Sequence, residues 1–313
     1  MATYKGIKGM HINTVAGDIG TVQLGDIWYN SILGKVRVGQ LTANAWASGG
    51  NLNTAHRNFS GAGTQTAAIV AGGSQPDRTL TEIYDGSSWT EVNDLNTGRY
   101  APAVAGTTTA AIGAGGYIPS PASAVDNCES WNGTSWTEVN DLGTARYGAS
   151  GVGSSTAMLA VSGAGKTEVE SFDGTNWTEI ADISTVKAYG GAWGSQTAAI
   201  IATVTTAEVW DGSSWTEVAD LNTNRSQGAG FGTSSSSGVH AGGYVPAGAS
   251  VAVETWDGTS WTETTNLATG SWDLAYAGTT ASGLVCGGSS PPNLVRTEEW
   301  TGEYAAAATV TSS

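Results

Sequence analysis

The sequence predicts an all-β protein, a six-bladed β-propeller, on three observations: a repeated string, its period, and a copy split between the chain ends. The string is an aromatic residue, Asp or Asn, Gly, two small polar residues and Trp-Thr-Glu, and full copies begin at Tyr84, Trp131, Phe172, Trp210 and Trp256. The second aromatic positions are Trp46, Trp89, Trp136, Trp177, Trp215 and Trp261. Their spacings of 43, 47, 41, 38 and 46 residues are typical of four-stranded propeller blades.

Each repeat predicts four short strands. In the second repeat these are 100–106, 108–115, 125–131 and 135–139, rich in Gly, Thr, Ser and Val and without the 3.6-residue apolar stripe of a helix. The Asn132-Gly133 pair between the last two strands predicts a hairpin turn, because glycine tolerates a positive φ there.

The sixth copy predicts how the ring closes. It begins at Glu299-Trp300-Thr301-Gly302 and breaks off, while its second half, from Trp46 to Leu52, lies near the other end of the chain. An open propeller would expose an unpaired edge strand. We therefore expect the strand around Trp46 to pair with the strand around Trp300, and a propeller over residues 44–304.

The repeat resembles the kelch family over about residues 44–304. The features that carry the resemblance occur in order as Gly115-Gly116, Trp131, Trp136 and Arg146. The fourth repeat departs from the pattern, with Ala202-Thr203 in place of the double glycine, and the aromatic-to-Trp spacing is shorter than in typical kelch blades. The resemblance implies a propeller usually used for protein binding, with an occasional enzyme.

Residues 1–43 lie outside the repeat, and the stretch from Gly25 to Val38 predicts a β-hairpin. This stretch is similar to short hairpin modules of tailed-phage fibre and other virion proteins, which anchor a displayed domain to the particle. The resemblance makes Trp28, Tyr29 and Asn30 candidate anchor residues. The alternative is an ordinary extension packed on the propeller. Residues 305–313 are small and polar and predict a flexible tail.

Composition excludes several function classes. Twelve Lys and Arg against 27 Asp and Glu give a net charge of −15, which argues against binding nucleic acid. No apolar run is long enough to insert in a membrane. Cys128 and Cys286 form no zinc or disulfide pattern, and the three histidines have no metal-binding spacing: His11, His56 and His240. No nucleophile or phosphate-loop motif is present, so we predict no catalytic residues, no metal, no cofactor and no enzyme.

One end of the propeller is predicted to bind ligand, because its connections vary in length and content. Two long loops there carry Tyr117 and Tyr244. The same end carries a series of bases in one register, His56, Arg99, Arg146, Lys187 and Arg225, with Ser271 at the sixth position. The bases could form a funnel for an acidic ligand such as an anionic glycan, or they could pair with Asp residues and join the blades. Tyr100, Tyr147 and Trp272 follow next, either between blades or against sugars.

These observations favour a non-enzymatic bacteriophage virion protein that displays a propeller for host-surface or glycan binding. Its partners would be other virion proteins, through residues 1–43, and a host-surface glycan or protein. Several copies, or a homo-oligomer, would sit on each particle. Two alternatives stay open: a purely structural decoration or tail-assembly component, and a glycan-active enzyme that uses the central pocket.

Overall fold

The computed structural model describes residues 12–74, 78–303 and 305–310, and within these ranges the chain forms strands and turns without a helix. The all-β prediction is confirmed. The chain forms two compact units, one spanning Ala45–Thr301 and the other joining the residues up to Asn44 with those from Gly302 onward.

The larger unit consists of six four-stranded antiparallel sheets, counted over the described residues and called blades 1 to 6. Blade 1 is Ser60–Thr64, Ala67–Ala71, Thr81–Tyr84 and Trp89–Glu91. Blade 2 is Ala103–Thr107, Ala110–Pro119, Ala122–Trp131 and Trp136–Val139. Blade 3 is Ser150–Ser154, Ala157–Gly163, Lys166–Phe172 and Trp177–Ile180. Blade 4 is Gly191–Ser195, Ala198–Thr203, Thr206–Trp210 and Trp215–Val218.

Blades 5 and 6 complete the set. Blade 5 is Ala229–Ser234, Ser237–Ala241, Val253–Trp256 and Trp261–Glu263. A small hairpin of Tyr244–Val245 and Gly248–Ala249 lies between its second and third strands. Blade 6 is Ala275–Gly278, Ser282–Cys286, Thr297–Thr301 and Ala45–Ser48.

The first strands of the blades form a closed ring around a channel, because each lies against the first strands of both neighbours, from blade 1 through blade 6 and back. Glycines permit this close approach. A Cβ on Gly151 would lie 2.5 Å from the carbonyl oxygen of Val104 in blade 2, and one on Gly61 would lie 2.8 Å from that of Tyr276 in blade 6. Neighbouring backbones therefore touch where any larger residue would clash.

Ring closure occurs as the split repeat predicts. The strand Ala45–Ser48 pairs antiparallel with Thr297–Thr301, with Trp46 opposite Trp300. The N-terminal part of the chain thus supplies the outer strand of the last blade, as predicted. Blade 6 has four strands like the other five.

The repeated aromatic pair packs the two outer strands of every blade. Ring centroids of the pairs lie 4.9–5.5 Å apart, at Tyr84–Trp89, Trp131–Trp136, Phe172–Trp177, Trp210–Trp215, Trp256–Trp261 and Trp46–Trp300. Apolar side chains of adjacent sheets fill the space between blades, as where Ile112 of blade 2 and Met158 of blade 3 share one buried cluster. The core is therefore distributed around the ring rather than gathered in one place.

The smaller unit is a four-stranded sheet in the order Asn13–Val15, Ile27–Asn30, Lys35–Leu41 and Ala305–Thr309. The predicted hairpin is present, with Trp28 opposite Arg37. The prediction of a flexible tail over 305–313 is wrong for Ala305–Thr309, which pairs along Lys35–Leu41. The edge of Lys35–Leu41 offers backbone hydrogen-bond partners to this segment. The Arg37 side chain also donates to the Ala307 carbonyl at 2.8 Å. Residues 311–313 lie outside the described residues.

Candidate functional site

The predicted basic funnel is wrong, because its side chains are buried and paired. Arg99, Arg146, Lys187 and Arg225 are each at most 1% exposed. Each pairs with a glutamate on the third strand of the blade that its connection enters: Arg99–Glu129 at 2.7 Å, Arg146–Glu170 at 2.6 Å, Lys187–Glu208 at 3.2 Å and Arg225–Glu254 at 2.5 Å. The interpretation that the bases join the blades is right in kind, although their partner is Glu and not the predicted Asp.

Each glutamate also satisfies the backbone of the incoming connection. Glu129 accepts from the backbone N–H of Asn96 at 2.8 Å and from that of Thr97 at 3.2 Å, while Arg99 donates to the carbonyl of Asn127 at 2.5 Å. A buried charge is tolerated when it is paired and hydrogen-bonded in this way. The bases and glutamates therefore hold the connections between blades and are not accessible to a ligand.

The two remaining blades vary this arrangement. His56 occupies the base position of blade 1 and is 1% exposed, so it does not face a ligand either. Ser271 stands at the base position of blade 6, and Arg296 from that blade supplies the cation. The Arg296 guanidinium donates to Ser271 Oγ at 2.7 Å and pairs with Glu298.

Sequence reasoning missed the glutamates, although a signal was available. Each stands two residues before the first aromatic of the repeated string, and all six are buried: Glu82, Glu129, Glu170, Glu208, Glu254 and Glu298. The later Glu of Trp-Thr-Glu, represented by Glu138, is exposed and lies opposite Glu129. A carboxylate repeated in every blade beside a repeated base predicts ion pairs more strongly than a ligand site.

One end of the channel, which we call the mouth, is lined by one residue per blade in the left-handed backbone region. These residues are Asn58, Ala101, Gly148, Tyr189, Gln227 and Asp273, with φ between 51° and 65°. Going round the ring, five of the six neighbouring pairs of these residues are joined by a backbone hydrogen bond. The N–H of Ala101 donates to the carbonyl of Asn58 at 2.6 Å, and that of Tyr189 donates to the carbonyl of Gly148 at 2.7 Å. Strained backbone of this kind persists only where neighbours over-determine it, and it clusters at functional sites.

The mouth opens into a cavity of about 50 Å³. This space admits a few water molecules or a single polar substituent and is too small for a ring-sized ligand. Asn58, Tyr189, Gln227 and Asp273 bring polar side chains to the lining, and Tyr276 lines the channel behind them. Unlike the bases and glutamates, these residues differ from blade to blade.

Tyrosines cluster beside the mouth on blades 2 to 4. The ring of Tyr117 lies 5.0 Å from those of Tyr100 and Tyr147, and Tyr147 lies 6.2 Å from the ring of Tyr189, which lines the mouth. All four rings are partly exposed. Tyr117 is not on a loop as predicted, because the strands Ala110–Pro119 and Ala122–Trp131 extend the hairpin to its tip, and Tyr117 shares backbone hydrogen bonds with Tyr100.

A second aromatic pair lies across the mouth, on blades 5 and 6. Tyr244 is 42% exposed, and its ring lies 5.3 Å from that of Trp272, edge to face. The backbone of Tyr244 hydrogen-bonds that of Ser226, which directly precedes the mouth residue Gln227. The predicted ligand candidates Tyr117 and Tyr244 thus lie at the same end of the channel, on opposite sides of the mouth.

Asp273 carries the one acidic side chain among the described residues that line the mouth. It is 7% exposed, and its Oδ1 atom has no hydrogen-bond partner in the described part of the chain. Burial raises the pKa of Asp273 to about 7, and the positive charge of Arg57 opposes the rise. The mouth therefore offers a hydrogen-bond acceptor that titrates near neutral pH.

Other chemistry is sparse across the ranges that the structure describes. They contain no group of three or more His, Cys, Asp or Glu placed to hold a metal ion. Cys128 and Cys286 are buried and free, and burial raises the pKa of both thiols. His240 is buried beside Arg225, and desolvation lowers its pKa well below the ordinary value. His11 lies outside the described residues. No helix in the described ranges has the length and hydrophobicity to cross a bilayer.

The anchor candidates in the smaller unit divide into structural and exposed residues. Trp28 and Asn30 are at most 2% exposed, so their predicted role as contact residues is wrong. The Asn30 side chain accepts from the backbone N–H groups of Ile32 and Leu33 and so holds the turn of the hairpin. Tyr29 remains accessible at 36%, next to the turn residues Ile32 at 74% and Leu33 at 52%.

Comparison with known proteins supports the fold. A solved structure titled "Structure of YjhT" superposes with a TM-score of 0.69 at 12% sequence identity, covering 79% of this chain and 95% of that one. No family model matches the chain, and no curated protein matches it. At this identity the likeness shows the fold alone: the chain is a β-propeller, and its resemblance to kelch repeats stays a prediction.

Proposed function

We propose that this chain is a non-enzymatic bacteriophage virion protein that displays its propeller to bind a glycan on the host surface. The observation that carries the binding role is the pair of aromatic clusters on opposite sides of the mouth. Aromatic faces bury the apolar face of a sugar at low entropic cost, and a rigid ring presents them without reorganisation. Several propellers on one particle would raise the overall affinity.

The binding role is tested with Tyr244→Ala, assayed on an array of oligosaccharides and by adsorption to host cells. Tyr244 is 42% exposed, so its loss weakens binding about tenfold with a melting temperature nearly unchanged. The matched control on the oligosaccharide array is Tyr29→Ala, a similarly exposed tyrosine of the smaller unit. Equal binding by Tyr244→Ala and wild type would reject the mouth as the binding face.

Tyr117→Ala provides a second test of the same face. It also weakens binding, but its ring contacts two other tyrosines, so we expect a loss of about 1 kcal/mol of stability as well. A Tyr117→Ala protein that is destabilised yet binds normally would restrict that cluster to a structural role.

The virion role is supported by the resemblance of the stretch from Gly25 to Val38 to phage hairpin modules. It is also supported by the exposed apolar turn at Ile32 and Leu33, which suits burial against another virion protein. The test is an Ile32→Asp, Leu33→Asp double variant, followed by imaging of purified particles. We expect a folded propeller that is absent from particles; normal incorporation would reject the anchor.

Two other roles compete with this proposal. A decoration or tail-assembly component would bind virion proteins through the mouth and no glycan. A glycan-active enzyme is favoured by Asp273, whose raised pKa suits a general acid. Paired-carboxylate hydrolysis needs a second carboxyl across the scissile bond, and Asp273 is the one acid of the described mouth lining. Release of reducing sugar from bound oligosaccharides by the purified protein would establish the enzyme.

A further inference from the structure

The carboxyl of Asp273 is held in place by the ring of mouth residues. The backbone N–H of Asp273 donates to the carbonyl of Gln227 at 3.0 Å, and the carbonyl of Asp273 accepts from the N–H of Asn58 at 3.3 Å. Its backbone adopts φ 56°, which Asp and Asn tolerate better than most residues. The side chain is therefore positioned at the mouth by contacts with both neighbouring blades.

The carboxyl lacks what the other buried acids have. Glu129 and Glu170 are paired with arginines and hydrogen-bonded to backbone N–H groups. Over the described ranges Asp273 forms no ion pair within 4.0 Å, and its Oδ1 accepts no hydrogen bond. Leaving such a group unsatisfied is unfavourable, so the carboxyl is placed to accept a hydrogen bond from a donor that enters the cavity.

The charges around the mouth select the ligand class. The predicted ring cations, such as Arg146 and Arg225, are buried against glutamates, and the partly exposed Arg57 has its charge opposed by the Asp273 carboxyl. The chain as a whole carries a net charge of −15, and the mouth itself presents a carboxyl group. An anionic glycan would be repelled by both.

We propose that the mouth recognises an uncharged saccharide, one hydroxyl of which enters the cavity and donates a hydrogen bond to Asp273. This inference rests on the proposed glycan-binding function and replaces the acidic ligand expected from the sequence. The cavity of about 50 Å³ accepts a hydroxyl or hydroxymethyl group, while the sugar ring stays outside against the aromatic rings. Tyr189 and Gln227, also in the lining, flank the entering group.

Binding should respond to pH in a defined direction. The titratable or charged groups that face Asp273 are Arg57, Tyr189 and Tyr276. Burial raises the pKa of both tyrosines above their ordinary value, so they stay neutral. The Asp273 carboxyl, with a pKa of about 7, becomes a charged and stronger acceptor as pH rises. Affinity for a neutral saccharide should therefore increase from pH 6 to pH 8.

The same carboxyl affects stability with the opposite trend. Its folded pKa of about 7 lies above the ordinary value of 3.8, so the folded state holds the proton more tightly than the unfolded chain. Its contribution to stability is then greatest at low pH and declines as pH rises from about 4 to 7. Asp273→Asn removes the charge without changing the backbone preference, and we expect its melting temperature at pH 8 to rise by about 2–4 °C.

The experiment uses the full chain on an array of neutral and carboxylated oligosaccharides, with Asp273→Asn, Tyr244→Ala and Asp220→Asn compared. Asp220 is an exposed acid, so its variant has the same charge change and is expected to bind like wild type. We expect binding to neutral oligosaccharides only, about tenfold weaker for Asp273→Asn. That variant should also lose the pH dependence.

Each outcome decides between the two claims. Preference for carboxylated oligosaccharides, or unchanged binding by Asp273→Asn, overturns the inference. If Tyr244→Ala weakens binding to neutral oligosaccharides while Asp273→Asn does not, the mouth remains the binding face and Asp273 has no role in binding. If no oligosaccharide on the array binds, the proposed function and the inference both fall. Should Asp273→Asn fold poorly, the preference of the wild-type chain still decides, since equal or stronger binding of carboxylated oligosaccharides contradicts recognition by the Asp273 carboxyl.

Discussion

Two sets of residues recur once per blade in this propeller, and they differ in whether their polar groups are satisfied. The buried base–glutamate pairs repeat in blades 2 to 6, where each carboxylate has a cation and backbone donors, as Glu170 has with Arg146 and the N–H groups of Gly143 and Thr144. The mouth residues occupy equivalent backbone positions but change identity from blade to blade, and Asp273 among them lacks a partner for Oδ1 within the described ranges. Repeated side chains whose polar groups are all paired indicate a structural role. Side chains that vary from blade to blade and include an unpaired carboxyl group indicate ligand recognition.

The largest expected effect comes from breaking the ring on which both sets depend. Deleting residues 1–50 removes the strand Ala45–Ser48 and leaves Thr297–Thr301 as an open edge. We expect loss of soluble folded protein, measured by circular dichroism and size-exclusion chromatography. Deleting residues 1–40 is the control and should leave a folded propeller. Unchanged thermal unfolding after the longer deletion would contradict closure by the N-terminal strand.

The next largest effect on stability is expected from breaking one of the buried base–glutamate pairs. Arg146→Ala leaves Glu170 as a buried carboxylate without its cation, and we expect a loss of about 3–5 kcal/mol in the free energy of unfolding by urea. The control is Glu179→Gln, because Glu179 lies opposite Glu170 on the fourth strand but is exposed, and should change stability by less than about 0.5 kcal/mol. Equal stabilities for the two variants would show that the Arg146–Glu170 pair does not stabilise the fold.

A smaller effect on stability is expected in blade 6, where the cation comes from a different position. Arg296 supplies the cation in blade 6, and its side chain is 17% exposed where that of Arg146 is 0%. Water therefore screens the loss, and Arg296→Ala should cost about 1–3 kcal/mol. Adding Ser271→Arg, which places the base where blades 2, 3 and 5 have it, should recover at least half. A double variant as unstable as Arg296→Ala would show that the positions are not equivalent.

Most of the fold could be predicted because it is repeated. Six copies of one string constrain the blades, and the split between Trp46 and Trp300 predicts closure, since pairing them removes the open edge. The tail at Ala305–Thr309 could not be predicted, because its strand depends on a long-range edge and not on its own composition. Local propensity carries little information where pairing decides the structure.

The site was only partly predictable, for a related reason. The sequence placed Tyr117 and Tyr244 at one end of the propeller, and there they lie. It could not show whether Arg99 faces solvent or a carboxylate, because register gives position along the strand but not burial. Asp273 was missed because its significance comes from an absent partner, which is a property of three-dimensional packing and leaves no trace in the motif.

The central claim is that the channel mouth, and not the series of bases, is where ligand binds. A crystal structure of the full chain with a neutral oligosaccharide identified on the array tests it most directly. The account predicts a sugar hydroxyl within hydrogen-bonding distance of Asp273 Oδ1 and the sugar ring against the tyrosines around Tyr117 or against Tyr244. A sugar bound elsewhere on the propeller, with the mouth holding only water, would contradict it.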